Sequence, residues 1–307
     1  MPSTTAIKVE HISKSYGNFR AVDDLTFDVY NGEIFAMLGP NGAGKSTTIR
    51  MILDILKPDT GSIEIFGGRI TDAAKNKIGY LPEERGLYRG VPVIDVMTYL
   101  GTLKGLTRAE ARKRSMNYLE RFDLSAFAKK KVSDLSKGMQ QKVQIAVTML
   151  HAPDLIIIDE PFSGLDPVNT LLIEEVIQEF RAKGCAVVMS THQMYQVEYL
   201  ADRLVMINKG KQALYGKVDD VRARFALPAV VVEGTGDWTT LSGVERTEPE
   251  DGGRGTLLFL QKGVEPDQVL VQVAQRADLH VSRFELAVPR LTDIFIEVVE
   301  QGNKGAS

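Results

Sequence analysis

The segment that constrains this chain most runs from Gly39 to Thr47, with the sequence Gly-Pro-Asn-Gly-Ala-Gly-Lys-Ser-Thr. It fits the pattern of glycine, four residues, glycine, lysine and then serine or threonine. An apolar run over 33–38 precedes it, and apolar residues recur at helical spacing over 45–56. Small residues let backbone N–H groups converge on phosphate oxygens, and the start of a helix adds a favourable dipole. The segment predicts a phosphate-binding loop between a strand and a helix; the alternative is a glycine-rich turn with a solvated lysine.

Three side chains of this loop are expected to act on a nucleotide. Lys45 can neutralise charge on the β- and γ-phosphates, so we count it among the candidate catalytic residues. The Ser46 hydroxyl is placed to bind Mg²⁺, and Thr47 is expected near the α-phosphate. The predicted nucleotide-binding residues of the loop are Gly39, Pro40, Asn41, Gly42, Ala43, Gly44, Lys45, Ser46 and Thr47. Alone, the loop indicates a nucleotide but not a function.

Two acids follow a second apolar run, Leu-Ile-Ile-Ile over 155–158. One carboxylate can hold hydrated Mg²⁺ and the next can polarise a water, so we assign Asp159 to the metal and Glu160 to the water. By itself this pattern fits an ordinary strand leaving the core equally well. Downstream, Ser-Thr-His ends the next apolar run at His192, where a γ-phosphate sensor could lie. The combination favours a catalytic site.

A polar segment over 135–142 opens a predicted helix. Ser136 and the backbone N–H of Gly138 can offer hydrogen-bond donors to an anion there. Taken alone, the segment is also an ordinary helix cap.

The order of predicted elements indicates an α/β core followed by a smaller unit. Short apolar runs at 155–158 and 186–189 flank a predicted helix at 171–182, as in a buried parallel sheet. Turn-rich composition after Tyr215 places a boundary near Leu227-Pro228, which gives domains 1–226 and 227–307. The second domain is expected to be a small α+β unit.

Composition excludes several classes of protein. The chain is 44% hydrophobic and 25% charged, as in globular proteins. No apolar stretch approaches the roughly 20 residues needed to cross a bilayer, and the first ten residues lack a secretory signal, so a cytoplasmic location is expected. The single cysteine, Cys185, excludes an internal disulfide. A formal net charge of −3 provides no global positive field, and no nucleic acid partner is expected.

Together, and in this order, these segments over 7–215 resemble the Walker A, signature, Walker B with D-loop, and switch-histidine motifs of ABC ATPases. The resemblance implies an α/β P-loop NTPase core with an antiparallel β subdomain and a helical signature subdomain, and the cofactors ATP and Mg²⁺. It also matches Tyr16 to the aromatic residue that stacks on adenine. Stacking needs only a π-face.

The resemblance further implies two copies that face each other head to tail. Each ATP would lie between the phosphate loop of one copy and Ser136 of the other, and Asp166 would join the halves. His192 would hold the γ-phosphate near Glu160. The expected partners are a second copy and a separate multispan membrane subunit, which would bring the chain to the cytoplasmic face of the cell membrane.

Three positions depart from the family pattern. Lys137 and Met139 replace the usual glycine and glutamine of the signature, and Met139 cannot donate an amide hydrogen bond. Glu83 occupies the usual place of a glutamine that contacts Mg²⁺, and a carboxylate can still bind the metal. The following run over 85–88 lies where such ATPases receive their membrane partner; local packing of its apolar residues is the alternative.

The C-terminal run from Leu291 to Glu297 is similar to the small last domain of bacterial ABC ATPases of the drug or sodium export type. A regulatory or dimer-supporting role and simple stabilisation stay open for it. For the whole chain, the predicted function is an ATPase that drives transport, with export favoured. The alternatives are a soluble ABC protein acting on ribosomes or DNA, and a nucleotide kinase, which would leave the signature and His192 unexplained.

Overall fold

The computed structural model of this chain describes residues 4–83, 86–250 and 253–304. The chain divides into two compact units, one ending at Val218 and the other beginning at Asp219. Within the described residues, no helix has the length and apolar character that a membrane span requires.

The first unit combines a parallel sheet, an antiparallel sheet and a group of helices. Its elements are β1 (Thr5–Tyr16), β2 (Phe19–Tyr30), β3 (Ile34–Leu38), α1 (Lys45–Ile52), β4 (Thr60–Ile65), α2 (Asp72–Lys75), β5 (Ile78–Leu81), α3 (Val93–Leu103), α4 (Arg108–Arg121), α5 (Lys137–Met149), β6 (Leu155–Asp159), α6 (Pro167–Ala182), β7 (Ala186–Ser190), α7 (Met194–Leu200), β8 (Arg203–Asn208) and β9 (Lys211–Lys217). Short 3₁₀ turns at Ser125–Phe127 and Val132–Asp134 connect α4 to α5.

The larger sheet has the strand order β5-β6-β7-β3-β8-β9. Its first five strands run parallel, and β9 pairs antiparallel with β8. Every residue of β3, β6 and β7 is buried, which explains why these strands are continuous apolar runs. Because the carboxyl ends of parallel strands lie at one edge of a sheet, the loops after β3, β6 and β7 meet there.

The smaller antiparallel sheet has the order β2-β1-β4 and shares a core with the larger one. Phe27 and Phe35 stack across the two sheets, with ring centroids 5.4 Å apart. The Arg203 guanidinium lies over the rings of Tyr30 and Tyr215 at 4.7 and 4.9 Å, and it pairs with Glu33 at 3.3 Å. These contacts fix the β1–β2 hairpin against the larger sheet.

The second unit is a small α+β fold, as predicted. Its elements are α8 (Val218–Arg224), which begins at the last residue of the first unit, then β10 (Ala229–Thr235), β11 (Val244–Pro249), β12 (Thr256–Leu260), α9 (Pro266–Gln275), β13 (His280–Leu286) and α10 (Leu291–Lys304), with a 3₁₀ turn at Trp238–Thr240. The antiparallel sheet has the order β11-β12-β10-β13. Val269 and Val273 of α9 pack on Val230 and Leu258 of this sheet.

The α/β core is confirmed, but the predicted length of α1 was wrong. Helical spacing of apolar residues predicted a helix over 45–56, whereas α1 ends at Ile52. Asp54 adopts a left-handed backbone with φ +62°, and the N–H groups of Ile55 and Leu56 both donate to the carbonyl of Arg50. This turn ends the helix before its predicted end at Leu56.

Candidate nucleotide site

A cavity of about 670 Å³ lies at the carboxyl edge of the larger sheet. It is lined by Tyr16, Phe19, Ala21, Asn41, Gly42, Ala43, Gly44, Lys45, Ser46, Thr47, Glu83, Asp159, Glu160, Ser163, Gly164, His192 and Gln193. Four predicted site residues do not line it: Gly39, Pro40, Ser136 and Gly138. Phe19 also lines the cavity and was not predicted. It could have been found from its position in the hairpin, where it pairs with Tyr16.

The backbone of the phosphate loop requires glycine at two positions. Gly39 and Gly44 have φ of +152° and +110°. A Cβ at Gly39 would lie 2.2 Å from the carbonyl oxygen of Ile207, and one at Gly44 would lie 2.4 Å from that of Ala21. Gly44 is the N-cap residue of α1 and makes no side-chain hydrogen bond to the first N–H groups of the helix. This loop fits a phosphate group held by backbone N–H donors.

Lys45 places a buried ammonium in the loop. Its Nζ donates to the carbonyl oxygens of Gly39 at 2.7 Å and Pro40 at 3.2 Å. Burial lowers the pKa of Lys45, whereas the nearby carboxylates, led by Glu160 and then Asp159, act in the opposite direction. A desolvated cation interacts with an anion more strongly than a solvated one, so phosphate in this cavity would gain from it.

Oxygen atoms suited to a magnesium ion come together beside the loop. The Ser46 hydroxyl and a carboxylate oxygen of Asp159 lie 3.5 Å apart, and Glu83 lines the same cavity. Oxygen atoms are the ligands Mg²⁺ prefers, and it keeps several waters or phosphate oxygens in its shell. Among the described residues, no cluster of three or more His, Cys, Asp or Glu could hold a metal alone. The Ser46 and Asp159 oxygens fit an ion that also binds phosphate and water.

Glu160 is held by three consecutive residues at the end of β7. Its carboxylate contacts Nδ1 of His192 at 2.7 Å through one oxygen and the hydroxyl of Thr191 at 3.3 Å through the other. Its backbone N–H donates to the carbonyl of Ser190 at 2.8 Å, and its φ is +53°. Thr191 was not predicted as a site residue, although it directly precedes His192 in the sequence.

The signature residues lie at the start of α5, outside the cavity. Ser136 caps this helix by accepting a hydrogen bond from the backbone N–H of Met139 at 3.2 Å. A Cβ at Gly138 would lie 3.3 Å from the carbonyl oxygen of Gly164. Asp166 caps α6, and hydrogen bonds from Asn169 lower its pKa. One copy of the chain thus brings the phosphate loop and the carboxylates together but leaves Ser136 apart.

Comparisons with known proteins match both units. The family described as "ABC transporter" matches residues 22–163, and the family described as "ATP-binding protein DrrA1-3-like, C-terminal domain" matches residues 216–299.

Two relatives match over nearly their whole length. The uncharacterized ABC transporter ATP-binding protein YhaQ of Bacillus subtilis (strain 168) is 40% identical, over 95% of this chain and 98% of its own. Nod factor export ATP-binding protein I of Paraburkholderia xenovorans (strain LB400) is 34% identical, over 95% of this chain and 96% of its own. A solved structure of an ATP binding subunit of an ABC transporter is 36% identical with a TM-score of 0.67, covering 72% of this chain and 93% of that one. This chain therefore belongs to the ATP-binding subunits of ABC transporters, which bind ATP and hydrolyse it to drive transport.

Proposed function

We propose that two copies of this chain close on ATP, and that closure drives export through a separate multispan membrane subunit. One observation carries the proposal: the cavity contains the phosphate loop, the carboxylates and His192, while Ser136 lies outside it. A second copy facing head to tail would supply the missing hydroxyl. Export is supported by the name of the Nod factor export relative. The membrane subunit would place the chain at the cytoplasmic face of the cell membrane.

We propose the following roles for the site residues, supported by their positions in the cavity. Lys45 and the loop N–H groups hold the β- and γ-phosphates. Ser46 and Asp159 would hold Mg²⁺, which when bound would supply positive charge that offsets the negative charge of the phosphates. Glu160 polarises the attacking water and accepts its proton. The side chain of His192 is two-thirds exposed, and it would turn from Glu160 towards the γ-phosphate.

The adenine base is proposed to stack on Tyr16. Tyr16 lies at the end of β1 and is 48% exposed, and Phe19 beside it is 62% exposed. Both rings line the cavity, so either offers a π-face to the base.

Glu83 is expected to make ATP hydrolysis depend more strongly on magnesium. Its carboxylate adds negative charge where phosphate is expected, and a bound Mg²⁺ would offset the resulting repulsion. Glu83→Gln should therefore keep hydrolysis and reach half-maximal rate at a lower Mg²⁺ concentration. The measurement is a magnesium titration of phosphate release, with Glu120→Gln, an exposed change on α4, as the control. An unchanged titration in Glu83→Gln would reject this role.

A second cavity of the first unit, about 240 Å³, is proposed to receive the membrane subunit. It is lined by Gly79, Tyr80, Leu81, Pro82, Gly86, Leu87, Leu100, Leu103, Lys104, Gln144, Val147, Thr148 and His151. Burial lowers the pKa of His151 to about 4, so a neutral imidazole lines this groove at neutral pH. The rings of Tyr88 and Tyr99 meet edge-on at 6.1 Å. Arg85, which was expected at this surface, lies outside the described residues.

Leu103→Glu tests this groove because Leu103 is 59% exposed and lines it. The tagged wild-type chain should copurify with a multispan membrane protein from detergent-solubilised membranes. Leu103→Glu should lose that protein and keep its basal ATPase rate, because a carboxylate is costly to bury without a partner. Ile55→Glu, at a 60% exposed residue outside the groove, is the matched control. Copurification with ribosomes instead would favour the soluble ABC alternative.

A further inference from the structure

We propose that Thr191 is a positioning residue for hydrolysis: its hydroxyl holds one carboxylate oxygen of Glu160 in the orientation needed to polarise water. The inference rests on the proposed role of Glu160. It adds a residue that does not itself touch the nucleotide and acts through the carboxylate.

The hydrogen bonds around Thr191 assign its proton. The backbone N–H of Gln193 donates to the Thr191 hydroxyl oxygen at 3.1 Å. A hydroxyl has one proton and can accept as well as donate. An ionised carboxylate only accepts, so the contact to Glu160 at 3.3 Å uses that proton. The two carboxylate oxygens of Glu160 therefore have separate donors, Thr191 and His192.

Thr191 is also held by a backbone hydrogen bond to the strand that precedes the phosphate loop. Its backbone N–H donates to the carbonyl of Met37 at 3.4 Å, in the strand that leads into the loop. It has no exposed surface, so water cannot readily replace its hydroxyl beside Glu160. By contrast, the side chain of His192 is 65% exposed. Because His192 is proposed to turn to the γ-phosphate, Thr191 is the donor that remains on the carboxylate.

Orientation of this carboxylate matters for rate more than for binding. A general base must lie within hydrogen-bond reach of the proton it accepts. A misplacement of about 1 Å can lower the rate by about 100-fold. The side-chain contacts of the Glu160 carboxylate come from Thr191 and His192, so the Thr191 hydroxyl is one of the two groups that orient it. Loss of the Thr191 hydroxyl should lower kcat and leave ATP affinity unchanged.

The test compares Thr191→Val, which keeps the shape and removes the hydroxyl, with Thr191→Ser, which keeps the hydroxyl. Steady-state phosphate release gives kcat and KM, and the ATP-induced rise in melting temperature reports binding. Thr191→Val should lower kcat by about 10- to 100-fold with an unchanged KM, and Thr191→Ser should stay within about threefold of wild type. Thr98→Val removes another buried hydroxyl, which donates to the Ile94 carbonyl in α3, and should leave kcat unchanged.

Two outcomes would reject the role of Thr191 without rejecting that of Glu160. One is a wild-type kcat in Thr191→Val. The other is an equal loss of kcat in Thr191→Ser, which would assign the effect to packing. Should Thr191→Val not fold, Thr191→Ala replaces it in the same comparison. A Glu160→Gln variant that hydrolyses ATP at the wild-type rate would instead reject the proposed role of Glu160. The two failures are therefore distinguishable.

Discussion

Glu160→Gln is expected to lower kcat for ATP hydrolysis by about 10²- to 10⁴-fold, the usual contribution of a general base. Glutamine keeps the shape of the side chain but cannot accept a proton from water. Its amide oxygen can still accept the hydrogen bond from the Thr191 hydroxyl. ATP binding should survive, because the phosphate loop is unchanged. Phosphate release measures the first effect, and the ATP-induced rise in melting temperature measures the second.

The control for this change is Glu175→Gln, an exposed position on α6. It should hydrolyse ATP at the wild-type rate. A Glu160→Gln variant as active as this control would remove Glu160 as the essential carboxylate. Loss of both hydrolysis and ATP binding would also contradict the account, because it would make Glu160 a binding residue.

Lys45→Met is expected to abolish nucleotide binding rather than hydrolysis alone. The ammonium is buried and lies among carboxylates, so its replacement leaves a cavity of net negative charge that repels phosphate. The free chain should melt near the wild-type temperature, because methionine fills similar space and burial already disfavours the charged lysine. Saturating ATP should raise the melting temperature of wild type and leave that of Lys45→Met unchanged.

Lys77→Met provides the comparison, since Lys77 is exposed and forms an ion pair with Asp154. It should respond to ATP like wild type. A clear ATP-induced shift in Lys45→Met would show that the ammonium is dispensable for binding and would contradict the role given to it.

Local patterns predicted the fold and the family, and the candidate site residues stay a prediction. The apolar runs that form β6 and β7 are buried on both faces, so the sequence of each run alone predicts a strand of a parallel sheet. The phosphate loop could also be predicted locally, because its residues are consecutive and its backbone conformation requires glycine at Gly39 and Gly44. Family membership and ATP binding, predicted from the order of the motifs, are confirmed.

Contacts between distant segments were not predictable in the same way. Thr191 contacts Glu160 across 31 positions of sequence, and a threonine at a strand end has no pattern that names its partner. The early end of α1 depends on the left-handed turn at Asp54, which periodicity does not report. The separation of Ser136 from the cavity follows from where α5 packs, which no local pattern specifies.

We propose that a complete site forms only between two copies of the chain. The most direct measurement is the molar mass of Glu160→Gln in solution by light scattering, with ATP and without it. Without ATP we expect the mass of one copy, and at saturating ATP the mass of two copies. A Ser136→Glu variant should keep the mass of one copy at saturating ATP, because its added carboxylate repels phosphate. A Glu160→Gln chain that binds ATP, shown by its melting temperature, and keeps the mass of one copy at every protein concentration would contradict it.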